Sequence, residues 1–267
     1  MTPRLQTATH DDLPGALHHL ERDGAVCLDA VLDADRLECL RNGLAAAAEV
    51  SARVLREKGM AVSEAGIAHH ILPADDCFPS FVEDLPAADI VQAFLGGSFI
   101  VNSFGGLMNH PSTGSEYLHR WHRDLRAFSA GDDLRLMINM LVTLDPFTSE
   151  TGGTLLDLGS HRAGDRTETE RQVDRFDAPA GSILLFDSRL FHAAGANRSD
   201  RVRRALTLTF TPPFFKPQMD HVRQLGTERV ASAGETLKRR LGWYARVPES
   251  LDDWYNPPEH RFYREDR

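Results

Sequence analysis

Residues 203–210 read Arg-Arg-Ala-Leu-Thr-Leu-Thr-Phe, and this alternation decides the fold class of the chain. Successive side chains of a β-strand point to opposite faces, so the odd positions from Arg203 to Thr209 share one face. The even positions from Arg204 to Phe210 share the other face. A strand with one small, polar face and one apolar face is typical of a sheet that borders a cavity and packs against a second layer.

The same texture extends over about residues 98–215, where short β-rich runs alternate with clusters of Gly, Asp, Pro and Ser. Such spacing is typical of a sandwich or barrel. Helical patterns flank this region on both sides, and no repeat or linker divides the chain. The sequence therefore predicts a mainly β fold with flanking helices. We expect one domain over 1–267, with a helical N-terminal part at about 1–97, a β core at about 98–215 and a helical C-terminal extension at about 216–267.

Start and stop signals place the flanking elements. Asp33 is a predicted N-cap for a long amphipathic helix, and Gly24, Gly59 and Gly96 are predicted stops. The predicted elements are helices over residues 11–22, 33–58 and 85–95, a short strand over 25–28, and a further helix around 235–241.

A candidate metal site lies in residues 117–124, Tyr-Leu-His-Arg-Trp-His-Arg-Asp. In a strand, the period of two puts His122 and Asp124 side by side, where one ion can touch both. His192 follows a second hydrophobic strand, predicted over residues 181–187. Two histidines and one carboxylate are the ligand set that binds non-haem Fe(II) and leaves open positions for oxygen and a co-substrate.

Arg203 completes this pattern on the next strand. A guanidinium presents a rigid fork of N–H donors, which suits the far carboxylate of a keto acid. The His-x-Asp tripeptide alone is weak, because it often occurs by chance. Together with His192 and Arg203 it predicts an oxygenase that uses Fe(II), 2-oxoglutarate and O2.

The chain resembles the phytanoyl-CoA dioxygenase family, within the larger group of Fe(II)/2-oxoglutarate oxygenases, over about residues 20–215. The order and rough separation of several sequence blocks carry the resemblance. These blocks are residues 119–125, 144–146, 151–155, 158–161, 179–182 and 192–203.

The resemblance implies a double-stranded β-helix, the jelly roll of cupin-like proteins, flanked by helices. It implies that His122, Asp124 and His192 are the iron ligands. It also implies that Arg203 holds the far carboxylate of 2-oxoglutarate. Asn139 matches a position on the strand that lines the co-substrate pocket in members of the family. The resemblance therefore implies a contact between Asn139 and 2-oxoglutarate.

Three positions refine the expected chemistry. Leu158 stands where the family often has Pro, and Ala194 stands where it often has a hydroxyl residue, so the details of the co-substrate contacts differ here. Related halogenases replace the iron-binding carboxylate by a small residue, whereas this chain keeps Asp124. We therefore expect hydroxylation of a small organic metabolite, with secondary metabolism as the preferred setting. Desaturation, epimerisation and ring formation begin with the same hydrogen abstraction and stay open.

Composition limits the partners. The net charge of -9 and the pI near 5.7 argue against nucleic acid as the main ligand. No apolar run approaches the roughly 20 residues that span a bilayer. Cys27, Cys39 and Cys77 form neither a disulfide framework nor a zinc-knuckle spacing. We expect a cytoplasmic monomer that acts on a small molecule, with no membrane or nucleic-acid partner.

Other polar and aromatic residues receive structural interpretations. The His69-His70 pair is expected in a loop, with the cavity mouth as its alternative position. Arg120 shares the ligand face, so it contacts either an anionic substrate group or a structural carboxylate. His119, Trp121 and His161 are expected to pack or to make structural hydrogen bonds. The same structural role is expected for the histidines at 10, 18, 19, 110, 221 and 260. The C-terminal aromatic pairs at 243–244 and 254–255 are expected to pack against helices, with a lid over the site as the alternative.

Two other functions use the same features. A non-oxidative cupin-like metalloprotein, either an isomerase or a binding protein, would need the metal ligands but not Arg203. An oxygenase that demethylates DNA or RNA would need a basic groove, and the acidic composition weighs against it.

Overall fold

The protein, described here by a computed structural model, has a core of two β-sheets. The structure describes residues 4–60, 66–111, 120–125, 134–163 and 167–255. The strands are β1 Thr7–Ala8, β2 Ala25–Leu28, β3 Ile67–Ala68, β4 Ile100–Asn109, β5 Ile138–Thr143, β6 Thr154–Asp157, β7 Val173–Phe176, β8 Ile183–Asp187, β9 Phe191–Ala193 and β10 Arg203–Thr211.

The larger sheet has seven strands in the order β1-β2-β8-β5-β10-β4-β3, and the smaller sheet has three in the order β7-β6-β9. All pairings are antiparallel except that of β1 with β2. The strand order is compatible with a jelly roll. The predicted fold class, a mainly β core with flanking helices, is confirmed.

The alternation in β10 has the predicted consequence. Leu206, Leu208 and Phe210 are buried in a cluster that also contains the apolar residues of the helices. Ala205 belongs to a second cluster, which includes side chains from both sheets, such as Phe176 from β7. The larger sheet therefore packs against helices on one face and against the smaller sheet on the other.

The helices lie before and after the main run of strands. Those that the structure describes are α1 Leu13–Asp23, α2 Ala34–Glu57, α3 Cys77–Glu83, α4 Ala88–Leu95, α5 His221–Leu225, α6 Thr227–Ala231, α7 Glu235–Arg240 and α8 Leu251–Trp254, with 3-10 turns at Ser160–Arg162, Glu168–Glu170 and Trp243–Ala245. Within the described ranges, no helix is long and apolar enough to cross a membrane.

Several predicted boundaries agree with the structure. Asp33 caps α2, because its side chain accepts a hydrogen bond from the backbone N–H of Arg36 at 2.8 Å. Gly24 ends α1 with a φ of 83°, a left-handed conformation that glycine adopts without strain. The strand predicted over residues 25–28 is β2.

Other predicted boundaries differ. The helix predicted over 85–95 begins only at Ala88, because Pro86 disfavours a helical conformation at Leu85 and Ala87 adopts a left-handed conformation. Helix α3 was not predicted.

The N-terminal part also supplies three strands to the larger sheet. β2 pairs with β8 through Ala25 opposite Phe186 and Leu28 opposite Ile183, so it is an integral part of the core. β1 extends the sheet beyond β2, and β3 extends it beyond β4.

Candidate metal centre

His122, Asp124 and His192, hereafter the triad, lie together at one end of the smaller sheet. The Nε2 atom of His122 is 3.5 Å from one carboxylate oxygen of Asp124. The Nε2 atom of His192 is 3.7 Å from the other oxygen. All the candidate donor atoms lie within 4.8 Å of one another, so one ion can contact all three side chains.

Backbone hydrogen bonds hold the two histidines beside each other. The N–H of His122 donates to the carbonyl of His192 at 3.0 Å, and the N–H of His192 donates back at 3.0 Å. This isolated bridge replaces the continuous strand predicted over 117–124, of which residues 117–119 lie outside the described residues. The bridge brings together residues far apart in the chain.

The imidazole rings are oriented through their second nitrogens. Nδ1 of His122 lies 2.8 Å from the carbonyl of Arg120, and Nδ1 of His192 lies 3.0 Å from the carbonyl of Leu190. A carbonyl accepts a hydrogen bond, so these contacts place the proton on Nδ1 and the unprotonated lone pair on Nε2, the atom that can bind a metal.

Asp124 is positioned by a hydrogen-bonded chain through Asn139 and Ser188. The side-chain amide of Asn139 donates to Oδ2 of Asp124, and the hydroxyl of Ser188 donates to the side-chain carbonyl of Asn139. The backbone carbonyl of Ser188 also accepts the N–H groups of Asp124 and Leu125, both at 3.0 Å. Ser188 therefore fixes both the backbone and, through Asn139, the carboxylate of Asp124.

The protonation states suit a metal site. Desolvation would raise the pKa of Asp124, but the neighbouring imidazoles of His192 and His122 and the Asn139 amide together lower it to about 2. Burial lowers the pKa of His192 below its usual value. At neutral pH the site therefore presents one carboxylate and a neutral His192 imidazole, the forms in which these side chains bind metals.

Arg203 is buried near the triad, with 1% of its surface exposed. Its Nε and Nη2 atoms have no hydrogen-bond partner among the described residues. The guanidinium carbon lies 4.0 Å from the centre of the Phe147 ring. The pKa of Arg203 is lowered to about 10, mainly by burial, so the side chain stays charged at neutral pH.

One cavity of about 300 Å³ contains the triad, Asn139 and Arg203. Its apolar walls come mainly from the strands of the larger sheet. Arg203 is the one Lys or Arg side chain among the described residues that line it. The other polar residues that line the cavity are His69, Ser103, Thr154, Thr207, Thr209 and Gln218.

The other predicted positions divide between cavity and exterior. His69 lines the cavity, whereas His70 adopts a left-handed conformation and its ring lies 6.2 Å from that of His221. Arg120 is exposed, and its backbone carbonyl accepts a hydrogen bond from Nδ1 of His122. Trp121 is half-buried and stacks on Phe191 rather than entering the core.

Three further predictions concern residues outside the cavity. His161 is buried and contacts the carbonyl of Glu21 at 3.0 Å, as a structural residue would. Trp254 and Tyr255 are 58% and 76% exposed and do not line the cavity. His119 lies outside the described residues.

Ser188 was missed from the sequence. The signal available was its place directly after the strand that ends at Asp187 and four residues before His192. Its role depends on contacts with Asn139 and Asp124, which lie 49 and 64 positions earlier in the chain and belong to other elements. A single sequence gives no measure of those distances.

The chain is similar to known proteins in both sequence and fold. The family model described as phytanoyl-CoA dioxygenase matches residues 20–205. An uncharacterised protein of Mycobacterium tuberculosis is 34% identical over 252 residues, which cover 90% of each chain. A dioxygenase of Penicillium canescens is 37% identical over 129 residues, which cover 46% of this chain and 42% of that protein.

Two crystal structures share the fold. AviO1 from Streptomyces viridochromogenes superposes with a TM-score of 0.59 at 21% identity, covering 79% of this chain and 99% of that one. SnoN, described as a non-haem alpha-ketoglutarate-dependent epimerase from nogalamycin biosynthesis, gives a TM-score of 0.60 at 20% identity, covering 77% and 85%. At these identities the likeness concerns the fold alone.

Proposed function

Because this chain belongs to the phytanoyl-CoA dioxygenase family, we propose that it hydroxylates a small organic metabolite with Fe(II), 2-oxoglutarate and O2. In this proposal His122, Asp124 and His192 bind the iron. Arg203 binds the far carboxylate of 2-oxoglutarate. When bound, the iron and the keto acid supply the oxidising power that reacts with an unactivated carbon.

The observation that carries the proposal is the buried guanidinium of Arg203, whose Nε and Nη2 atoms have no hydrogen-bond partner among the described residues. A buried charge without hydrogen-bond partners is unfavourable, so its position at a cavity wall favours an anionic ligand that pairs with it. A carboxylate matches the guanidinium fork. A non-oxidative cupin-like metalloprotein would use the triad but would have no need of this arginine.

The residues around the triad support iron binding. Two imidazoles and one carboxylate offer three donor atoms that one ion can contact, and all three side chains line the cavity. Asn139 and Ser188 hold Asp124 in place before any ion binds. Asn139 also lines the cavity, so its predicted contact with 2-oxoglutarate stays part of the proposal.

The cavity favours a small, uncharged substrate. Its volume of about 300 Å³ is at the lower end of the range for ligand pockets, and the keto acid occupies part of it. Arg203 is taken up by the keto acid, and the described residues offer no other Lys or Arg side chain there. The apolar wall excludes water, while the hydroxyl-bearing wall offers donors and acceptors to a polar substrate group.

Reaction outcome and setting are further parts of the proposal. Hydroxylation is proposed because Asp124 leaves no room for halide in the ligand set. The epimerase activity in the description of SnoN is a reason to analyse products for inverted stereocentres as well. We propose a role in secondary metabolism and a cytoplasmic monomer without a nucleic-acid partner, supported by the net charge of -9 and three free cysteines.

Anaerobic titration of the full chain with Fe(II) and 2-oxoglutarate tests the proposal. Bidentate binding of a keto acid to Fe(II) gives a weak visible charge-transfer band. We expect the band in the wild type and in Arg204→Leu, a matched control in which the changed arginine pairs with Asp145 at 2.8 Å. Arg203→Leu should bind iron but lack the band at the same keto-acid concentration.

The outcome that contradicts the proposal is equally clear. If the wild type binds iron without the band, or if Arg203→Leu keeps it, Arg203 does not hold a keto acid. The non-oxidative metalloprotein would be the better interpretation if the wild type gives no band, whereas a band kept by Arg203→Leu would mean that another residue holds the keto acid.

A further inference from the structure

A second cluster of metal-ligand side chains lies among the helices, apart from the triad. It consists of Cys39 on α2 together with Asp75 and Cys77 at the start of α3, hereafter the thiol cluster. The two sulfur atoms and a carboxylate oxygen lie within 4.8 Å of one another. Cys39 and Cys77 are 38 positions apart in the chain, so only the packing of α2 against α3 brings them together.

Gly43 allows this close approach. It lies one helical turn after Cys39, and a Cβ atom at this position would come within 2.7 Å of the sulfur of Cys77 and 3.2 Å of the Cβ of Asp75. A glycine inside a helix costs about 1 kcal/mol relative to alanine. Gly43 therefore lowers the stability of helix α2 at the point where the two thiols come together.

The donors are held in place but accessible. The backbone N–H of Cys77 donates to Oδ1 of Asp75 at 2.9 Å, and the thiol of Cys77 points to the carbonyl of Cys39 at 3.5 Å. Cys77 is 9% exposed, whereas Cys39 is exposed. The cluster therefore has a buried donor at its base and a solvent-facing donor through which an ion can enter.

We propose that Cys39, Asp75 and Cys77 form a site for a zinc-like divalent cation, with water as the fourth ligand. Zn²⁺ binds cysteine sulfur at about 2.3 Å and carboxylate oxygen at about 2.0–2.2 Å in a tetrahedral arrangement. Thiolate ligands favour such an ion over Mg²⁺ or Ca²⁺. The triad, which contains no sulfur, is chemically distinct, and this proposal does not depend on its function.

Binding has a proton balance that sets its pH dependence. Each thiol loses its proton when its sulfur coordinates the ion, so two protons are released for each cation bound. The affinity for the cation should therefore increase as the pH rises.

The bound ion would connect the helical layer to the cavity. A cross-link between Cys39 and Cys77 closes a segment that includes Ile67 and His69, both of which line the cavity around the triad. Fixing the two ends of this segment restricts the motion of that wall. The expected consequence is a more stable protein with zinc than without it.

Cobalt titration of the reduced full chain under anaerobic conditions tests the proposal. A thiolate bound to Co²⁺ gives an intense near-ultraviolet charge-transfer band, which ligation by the triad does not produce. We expect this band in the wild type and its loss in Cys39→Ala and in Cys77→Ala. Cys27→Ala is the matched control, since Cys27 is a third free cysteine, buried in β2.

A measurement on the unmodified chain covers the case in which a variant does not fold. Zn²⁺ should protect the exposed thiol of Cys39 from alkylation, detected by mass spectrometry of peptides, with protection reversed by a chelator. Absence of the cobalt band, persistence of the band in Cys39→Ala, or equal alkylation with and without zinc would overturn the proposal. A disulfide formed in air by a protein that binds no zinc when reduced would overturn it as well.

Discussion

The triad and the thiol cluster place similar sets of three donors at similar separations, but different parts of the fold build them. In the triad, reciprocal backbone hydrogen bonds join His122 to His192. The Nδ1 atom of each histidine lies at a backbone carbonyl, and the carboxylate of Asp124 accepts a hydrogen bond from the side-chain amide of Asn139. In the thiol cluster, the packing of α2 on α3 brings Cys39 close to Cys77. The absence of a side chain at Gly43 leaves space for the sulfur of Cys77.

This difference indicates how each site responds to mutation. A triad ligand is oriented by hydrogen bonds from neighbours, so removing a neighbour should weaken the metal site even though the protein still folds. The thiol cluster depends on the distance between two helices, so changes in packing should affect both the site and the stability. The predictions below test this contrast.

Removing a triad ligand should have the largest effect. His192→Ala should bind Fe(II) more than 100-fold more weakly, because loss of even an outer hydrogen-bond partner of a metal ligand costs roughly 10–100-fold. Turnover of 2-oxoglutarate should fall below detection. Iron binding by dialysis and succinate release provide the two measurements. His18→Ala, at an exposed position, is the control, and near-normal iron binding by His192→Ala would refute the ligand assignment.

Arg203→Leu should separate binding from stability. Truncating one partner of a buried charged hydrogen-bonded pair costs about 2–5 kcal/mol, so the affinity for 2-oxoglutarate should fall roughly 30-fold to several thousandfold. The ligand-free protein should be as stable as the wild type or more stable, since a buried unpaired charge has been removed. Keto-acid affinity and urea unfolding test the two parts. A large loss of stability with unchanged affinity would indicate a structural arginine.

Ser188→Ala should weaken metal binding by the triad, although Ser188 is not itself one of the three ligands. The variant loses the hydroxyl that fixes Asn139, and we expect a 10–100-fold loss of metal affinity or activity. The melting temperature should also fall by a few degrees, because the buried side-chain carbonyl of Asn139 loses its donor, so the metal affinity of the folded protein is the measurement that reports the positioning role. The control is Ser232→Ala, whose hydroxyl contacts only the backbone of its own helix. Equal metal affinity in Ser188→Ala and wild type would show that Asn139 needs no support.

Gly43→Ala should affect the thiol cluster and spare the triad. The added Cβ crowds Cys77, and overpacking costs about 1–3 kcal/mol, partly offset by the better helix propensity of alanine. At roughly 2–4 °C per kcal/mol for a chain of this size, the melting temperature should fall by a few degrees. The protection of Cys39 from alkylation by zinc should disappear, while iron binding by the triad is retained. Gly97→Ala, where a Cβ meets no atom within 4 Å, is the control.

The pair formed by half-buried His70 and buried His221 should give the smallest effect. His70 and His221 face each other, with His69 and Asp220 as titratable neighbours, and burial lowers the pKa of both. The unfolded chain therefore binds more protons than the folded protein does below about pH 6.5. The free energy of unfolding should have its highest value above about pH 6.5 and should decrease as the pH falls below it. Urea unfolding at several pH values should show a weaker dependence in His221→Gln than in His18→Gln. An equal dependence would show that this pair titrates normally.

The same contrast explains what the sequence could predict. His122 and Asp124 are two positions apart, so local periodicity places them together, and the resemblance adds His192 and Arg203. Asp33 and Gly24 mark helix ends through local backbone chemistry, and these boundaries are correct. In each of these cases the residues themselves contain the information.

What was missed depends on packing between distant elements. The three cysteines look scattered in the sequence, and the meeting of Cys39 with Cys77 requires α3, a helix that was not predicted. The role of Ser188 requires β5 and the residues around Asp124 to lie against the end of β8. Neither proximity has a local signature, because it arises only when the sheets and helices assemble.

Anomalous diffraction from crystals grown anaerobically with Fe(II) and 2-oxoglutarate tests the central claim most directly. The account predicts an iron signal in contact with His122, Asp124 and His192, and a keto-acid carboxylate hydrogen-bonded to Arg203. An iron signal at any other position, or a keto acid away from Arg203, would contradict it.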